Sequence, residues 1–160
     1  MATNPPSNSA GAVVVDSNVL VAICSKEITH HAAQQALDDY TSNGWAFYAP
    51  GVVVAEALFV LCRKLSDGSL MAADYDKAIV LLKKYLAVIA PPPAGDANLT
   101  QRAIEIQSGY SCLHLADCLY LALAEALAQS TAAEFVTFDK RVVNVAARNA
   151  PKVNVNLLPS

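Results

Sequence analysis

Charged residues are scarce in this sequence, and its basic residues are scattered. Asp, Glu, Lys and Arg make up 16% of the 160 residues, compared with roughly 25% in a typical soluble domain. No run of Lys or Arg is longer than two residues, and the formal net charge is −3. The sequence therefore lacks the basic surface that usually accompanies binding to a phosphate backbone. Apolar residues reach 54%, which indicates elements buried on several sides or an apolar interface with a partner.

Long uncharged stretches are also absent. Asp16, Glu56 and Asp117 interrupt the most apolar regions, so no segment reaches the roughly 18 uncharged residues of a membrane-spanning helix. The N-terminal residues carry neither the early positive charge nor the apolar stretch of a secretory signal. We therefore expect a cytoplasmic protein without membrane association. Residues 1–11 are predicted to form a disordered lead-in and residues 12–160 a single domain.

The cysteines lack the spacing of a metal site or a disulfide framework. The sequence contains no CxxC pair and no histidines at ligand spacing from a cysteine, which argues against structural zinc. All four cysteines lie in apolar segments and are predicted to be buried thiols: Cys24, Cys62, Cys112 and Cys118.

Short apolar or β-branched segments alternate with helix-compatible segments along the chain, without an internal repeat. Strands are predicted at residues 12–15, 45–49, 87–90, 134–138 and 152–158. Helices are predicted at residues 29–40, 52–65, 71–86, 96–109, 114–129 and 139–150. Such alternation is typical of parallel strands joined by crossover helices. We therefore predict an α/β fold in which a mostly parallel sheet of about four to five strands lies between two layers of helices, a three-layer α/β/α arrangement.

Two carboxylates lie in apolar helical surroundings that do not suit a charge. On a helix, the residues three and four positions from Glu56 are all apolar, and Asp117 lies in a similarly apolar segment. Because an unpaired buried carboxylate is costly, buried acids are normally ion-paired, hydrogen-bonded or bound to metal. The sequence leaves two kinds of partner open: a basic residue such as Arg63 or Arg102, or a metal ion.

Two further aspartates follow predicted strands. Asp16 comes directly after residues 12–15, and Asp139 follows residues 134–138. Either side chain suits the N-cap of the next helix. Ligands of parallel sheets, however, collect outside the carboxyl ends of the strands, where both aspartates are expected. Carboxylates without nearby Cys or His ligands favour a hard cation such as Mg²⁺ over Zn²⁺.

Four short motifs place these acids in one pattern. The chain has D-S-N at 16–18 after a strand, A-E-A at 55–57 on a helix, L-A-D-C-L-Y-L-A-L-A at 115–124 on another helix, and T-F-D at 137–139 after a strand. In order, spacing and assigned elements, they resemble the PIN domain over residues 12 to 155. The resemblance implies a PIN-like fold and a metal-dependent endoribonuclease, which is a hydrolase of RNA.

The resemblance also implies the chemistry of the site. Asp16, Glu56, Asp117 and Asp139 would be the catalytic residues and would hold one or two Mg²⁺ or Mn²⁺ ions. The metal would polarise the scissile phosphodiester bond and activate the water that hydrolyses it. Its positive charge would also offset the acidic balance of the chain where the phosphate must lie.

Four neighbouring residues have supporting roles in this interpretation. Asn18 and Thr137 match polar positions that accompany the acids in the family, so they are expected to donate supporting hydrogen bonds, although both also suit cap and turn roles. Lys140 and Arg141 adjoin Asp139, where they could contact the RNA phosphate or remain solvated charges of a first helical turn.

Two protein partners are expected. The chain length suits the stand-alone PIN proteins, many of which are toxins of toxin–antitoxin pairs, so an antitoxin is one expected partner. The apolar composition favours a homodimer as well.

Two alternatives to a ribonuclease stay open. One is a phosphotransfer or phosphatase-type domain in which Asp16 is the phosphoryl-accepting nucleophile, which predicts an acyl phosphate on that residue. The other is a PIN-like module that binds RNA or a partner without catalysis, as the high apolar content would allow.

Overall fold

The computed structural model describes residues 9–108 and 115–160. The elements in chain order are β1 (Gly11–Val15), α1 (Ser17–Cys24), α2 (His30–Ser42), β2 (Trp45–Tyr48), α3 (Val52–Ser66), α4 (Ala72–Val88), a 3-10 helix (Asp96–Leu99), α5 (Thr100–Gln107), α6 (Leu115–Leu127), β3 (Ala133–Thr137), α7 (Lys140–Asn149) and β4 (Asn154–Leu157). The predictions for the lead-in before residue 9, for Cys112 and for a helix start at His114 lie outside the described residues.

The four strands form one parallel sheet in the order β2-β1-β3-β4. In the central strand β1, Val14 lies opposite Tyr48 of β2 and Phe135 of β3. Every residue of its GAVVV segment is buried, because β-branched side chains suit a strand and central parallel strands are covered on both faces. The predicted α/β class with a parallel sheet is confirmed.

Helices cover both faces of this sheet. Tyr120 of α6 stacks on Phe135, whereas Tyr40 of α2 donates a hydrogen bond to the neighbouring residue of β3, Glu134. Because successive side chains of a strand point to opposite faces, α6 and α2 lie on opposite sides of the sheet. α5 packs on α6, and α1 packs against α2, α3 and α4. The three predicted layers are therefore present.

The prediction of a strand at residues 87–90 is wrong. Helix α4 continues to Val88, and Ala90 forms an isolated bridge with Tyr48. A short apolar segment fits either a strand or a helix, and extending a helix that has already formed costs less than starting a new element.

Helix α1 is not among the predicted helices. The sequence pattern indicates only turn or cap residues at its start. Its residues 19–24 are all buried, so no polar face gives the segment a helical period. The two carboxylate oxygens of Asp96, at the start of the 3-10 helix, accept the backbone N–H of Gly51 just before α3, at 3.0 and 3.1 Å.

Two of the cysteines described by the structure are buried, as predicted, and one is not. Cys24 and Cys118 are buried, whereas Cys62 is exposed on α3. In the described part of the chain, no helix has the length and apolar character required to cross a membrane.

Candidate active site

Asp16 lies at the carboxyl end of the central strand and is 5% exposed. It is the N-cap of α1, where its Oδ1 accepts the backbone N–H of Asn18 at 3.4 Å. A carboxylate at this position is favoured by the unpaired N–H groups and the positive end of the helix dipole. The sequence predicts two possible roles for Asp16, a helix cap and a residue at the ligand-binding edge of the sheet. In the structure it caps α1 and also follows the end of β1, at the edge where ligands of parallel sheets bind.

Thr137 and Asn18 form a hydrogen-bonded triangle with Asp16. Thr137 Oγ1 donates to Asp16 Oδ2 at 2.5 Å, and Asn18 Nδ2 donates to the same oxygen at 2.8 Å. Asn18 Nδ2 also lies 3.2 Å from Thr137 Oγ1. Thr137 Oγ1 in turn accepts the backbone N–H of Asp139 at 3.0 Å. The two residues predicted to support the acids therefore connect the ends of β1 and β3.

Asp16 is buried where its charge is unfavourable. The pKa of its carboxyl group is raised from 3.8 to about 7. Burial is the main cause and the negative charges of Asp117 and Glu56 add to it, while the hydrogen bonds from Thr137 and Asn18 oppose the rise. Two of the other predicted acids, Asp117 and Glu56, are therefore close enough to Asp16 to repel its charge. Nearby carboxylates of this kind either take up a proton or gain a cation.

Glu56 lies on α3 and is half-buried rather than buried. The apolar residues around it explain the difference, because Val53 is in the core while Phe59 is 65% exposed. Its Oε2 accepts a hydrogen bond of 2.6 Å from the hydroxyl of Tyr120 on α6. Of the two arginines proposed as partners, Arg102 instead binds Glu125 and Glu105.

Asp117 lies in the first turn of α6, where a carboxylate interacts favourably with the helix dipole. It is half-buried. Its negative charge adds to the rise that burial causes in the pKa of Asp16, and to the rise that Asp139 causes in the pKa of Arg141. Asp117 therefore lies near both side chains.

Asp139 is the N-cap of α7 and interacts with Arg141 through both carboxylate oxygens. The Arg141 backbone N–H donates to Oδ1 at 2.8 Å, and its guanidinium donates to Oδ1 from Nε at 3.0 Å and to Oδ2 from Nη2 at 2.6 Å. The Asp139 side chain is 17% exposed and that of Arg141 is 70% exposed. Arg141 is therefore directed at an acid of the site, and Lys140 is exposed beside it.

The four acids are hard oxygen donors of the type that Mg²⁺ and Mn²⁺ prefer. Three are coupled by charge, and Asp139 is connected to Asp16 through Thr137. Within residues 9–108 and 115–160, no group of three or more His, Cys, Asp or Glu side chains is arranged to hold a metal ion. The donor chemistry fits a divalent cation, while Glu56 and Asp139 are directed to Tyr120 and Arg141.

Tyr120 is the residue of this site that the sequence pattern does not predict. It is fully buried, and its hydroxyl reaches Glu56. It lies three residues after Asp117, on the same side of α6. That spacing is the available signal, but an aromatic residue in an apolar helix is ordinarily a core residue, so the pattern alone does not distinguish the two roles.

The fold and its motifs match known proteins. The model of the PIN domain family matches residues 13–148. A chain from the crystal structure of VapBC2 from Rickettsia felis, bound to a DNA fragment from their promoter, aligns with a TM-score of 0.63 at 14% sequence identity. That alignment covers 92% of this chain and 99% of the other, and shows a shared fold. No curated protein matches.

The family match includes all four predicted acids and spans well over half of the sequence. On that basis, the chain belongs to the PIN domain family.

Proposed function

We propose that this protein is a divalent-metal-dependent endoribonuclease. PIN domains are nucleases, and membership of that family supports the proposal. The observation that carries the proposal is Asp16, a carboxylate at the end of the central strand that is 5% exposed and repelled by two other acids. A divalent cation would relieve that repulsion, whereas a purely structural cap would gain nothing from the additional negative charges.

The protein's own residues would orient the ligands. Thr137 and Asn18 hold Asp16 Oδ2 through two donors, which fixes the carboxylate against the strand end. Hydrogen bonds of this type orient a ligand and are important for affinity. Asp117 and Glu56 would complete the set from α6 and α3, and Asp139 would join after exchanging its contact with Arg141. When bound, Mg²⁺ or Mn²⁺ supplies Lewis-acid polarisation and a water of lowered pKa for phosphodiester hydrolysis.

Arg141 and Lys140 would meet the RNA backbone. With a net charge of −3, the protein offers little general attraction for RNA, so local cations matter more. The Arg141 side chain is 70% exposed while it contacts Asp139. Once released from that carboxylate, its planar guanidinium is suited to bind a phosphate through two donors.

An exposed apolar surface supports the proposed protein partners. On α3, Val54, Leu58 and Phe59 are 41%, 41% and 65% exposed, and these positions lie on neighbouring turns of the helix. Apolar patches of this kind are typical of protein–protein contacts. We propose that the surface contacts an antitoxin or a second copy of the chain, and that the protein is the toxin of a toxin–antitoxin pair. The fold it shares with VapBC2 supports this assignment.

The test is cleavage of end-labelled single-stranded RNA with Mn²⁺, with Mg²⁺ and with EDTA. Wild-type protein should cleave in either metal and stop in EDTA, and Asp16→Asn should be inactive because it keeps the shape but loses the charge. Asp74→Asn is the matched control, since Asp74 is an exposed acid that pairs with Lys77 on α4. Cleavage by Asp16→Asn at the wild-type rate would refute the proposal. RNA binding without cleavage by the wild type would instead favour a non-catalytic module.

A further inference from the structure

The hydroxyl of Tyr120 lies inside the cluster of acids although its ring belongs to the core. The side chain is fully buried, and its ring stacks on Phe135 with centroids 5.5 Å apart and planes at 15°. Packing of this kind leaves the ring little freedom. The position of the hydroxyl is therefore set by the contact between α6 and β3, and not by solvent.

The hydroxyl has a defined set of neighbours. It donates to Glu56 Oε2 at 2.6 Å. Glu56 and Asp16 both lie close enough for their charges to act on the phenol, and Ser17 is a further hydrogen-bonding neighbour. In this contact the phenol hydroxyl is the donor and the Glu56 carboxylate is the acceptor, with Asp16 and Ser17 nearby.

Glu56 needs such a donor to stay near the other acids. It is half-buried on a helix whose neighbouring surface residues include the exposed Phe59. A glutamate side chain has several rotatable bonds, and in this setting water competes for the carboxylate. A fixed donor on the site side opposes that competition and holds Oε2 within reach of the charge of Asp16.

We propose that Tyr120 is a positioning residue for Glu56, whose carboxylate it holds toward Asp16 so that a divalent cation can be bound. This inference rests on the proposed metal-dependent function. Tyr120 acts through the ligand and not on the RNA. Hydrogen bonds to metal ligands typically change metal affinity by about 10- to 100-fold when they are removed.

The test is Mn²⁺ binding to Tyr120→Phe, measured by isothermal titration calorimetry without RNA. This variant keeps the ring on Phe135 and removes the hydroxyl. We expect its Kd for Mn²⁺ to rise by about 10- to 100-fold. The matched control is Tyr40→Phe, because Tyr40 is also a buried tyrosine that donates to a glutamate, Glu134, on the other face of the sheet. The control should bind Mn²⁺ within about 2-fold of wild type, since it removes no bond near the acids.

A double-mutant cycle separates positioning from a general loss of structure. Glu56→Asp keeps the charge but withdraws the carboxylate from the phenol, so it should weaken Mn²⁺ binding even if Tyr120→Phe folds poorly. Adding Tyr120→Phe to Glu56→Asp should then weaken binding by less than about 3-fold, because coupled residues are not additive. Thermal unfolding of each variant verifies the fold.

The outcomes separate this inference from the proposed function. If wild-type protein binds Mn²⁺ and cleaves RNA while Tyr120→Phe binds Mn²⁺ equally well, the positioning role is refuted and the ribonuclease proposal stands. Independent effects of the two substitutions in the cycle would also refute it. Wild-type protein that neither binds Mn²⁺ nor cleaves RNA would overturn both.

Discussion

Two buried tyrosines, on helices that cover opposite faces of the sheet, each donate a hydrogen bond to a glutamate, and the surroundings of the two pairs differ. Tyr120 donates to Glu56 beside Asp16, and further acids lie close by. Tyr40 donates to Glu134, whose Oε1 also accepts from Asn154 at 3.2 Å. The first pair lies beside further negative charge, whereas the second pair accepts hydrogen bonds from neutral amide groups.

In the second pair, Tyr40 and Glu134, the hydrogen bonds are completed by neutral side chains. Asn156 Nδ2 donates to the Tyr40 hydroxyl at 2.8 Å, so both members have neutral partners. Both residues of the pair line a groove of about 510 Å³, which is also lined by Trp45. A satisfied polar network of this type stabilises and specifies the packing of α2 on the sheet. The pair at Glu56 lies beside the charge of Asp16, whose neutral donors Thr137 and Asn18 only partly offset the effects of burial and of the neighbouring acids, and a cation would supply positive charge there.

The largest expected effect is a loss of RNA cleavage when an acid near the Tyr120–Glu56 pair is replaced. Replacing the acid of the Tyr40–Glu134 pair should cause no such loss. Asp16→Asn should lower the rate of RNA cleavage by more than about 100-fold, because a ligand contributes more than the residues that orient it. Glu134→Gln keeps hydrogen-bonding capacity and should cleave at close to the wild-type rate. Equal losses for both variants would remove the functional distinction between the two faces.

Thr137→Val tests whether a neutral residue beside Asp16 also contributes to metal binding. It preserves shape but removes the hydroxyl that donates to Asp16 and accepts from Asp139. We expect Mn²⁺ affinity to fall about 10- to 100-fold. The matched control is Thr41→Val, because the Thr41 hydroxyl donates to the backbone carbonyl of Leu37 on α2, away from the acids. Calorimetric titration of both variants checks this, and equal affinities would contradict the orienting role.

The buried charge of Asp16 should make the metal-free protein less stable as pH rises. Its pKa is raised from 3.8 to about 7 in the fold, so the folded protein holds this proton more tightly than the unfolded chain. The resulting stabilisation is complete below about pH 4 and is lost as pH rises through about 7. Asp16→Asn has no such proton and should lose none of that stability.

Urea unfolding in EDTA measures this effect. The advantage of Asp16→Asn over wild type should grow by at least about 1 kcal/mol between pH 4 and pH 8. An advantage that is independent of pH would show that burial does not perturb this carboxyl group.

The smallest expected effect concerns Arg141. Its contact with Asp139 competes with a cation, but the guanidinium is 70% exposed, and exposed ion pairs contribute about 1 kcal/mol or less. Arg141→Ala should therefore tighten Mn²⁺ binding by up to about 5-fold and raise the KM for RNA. Arg148→Ala, at the other end of α7, is the control, and weaker Mn²⁺ binding by Arg141→Ala would contradict competition.

Local patterns predict most elements and the order of the acids, but not the conformation of each acid. The alternating and helical periods locate β1, α3 and α4 to within a few residues. They miss α1, which has no polar face, and extend a strand into the end of α4. The apolar neighbours of Glu56 predict burial, yet only part of that face packs on the core, because helix sequence does not reveal which side another element covers.

The sequence by itself determined the alternation of elements, the four acids and their positions at strand ends or on apolar helices, because these depend on neighbouring residues. Only the tertiary structure decided the partners of those acids. Tyr120 and Glu56 are 64 positions apart, and Thr137 and Asp16 are 121 apart. Such pairs form only when α3, α6 and two strands meet across the sheet, and no local period encodes that approach.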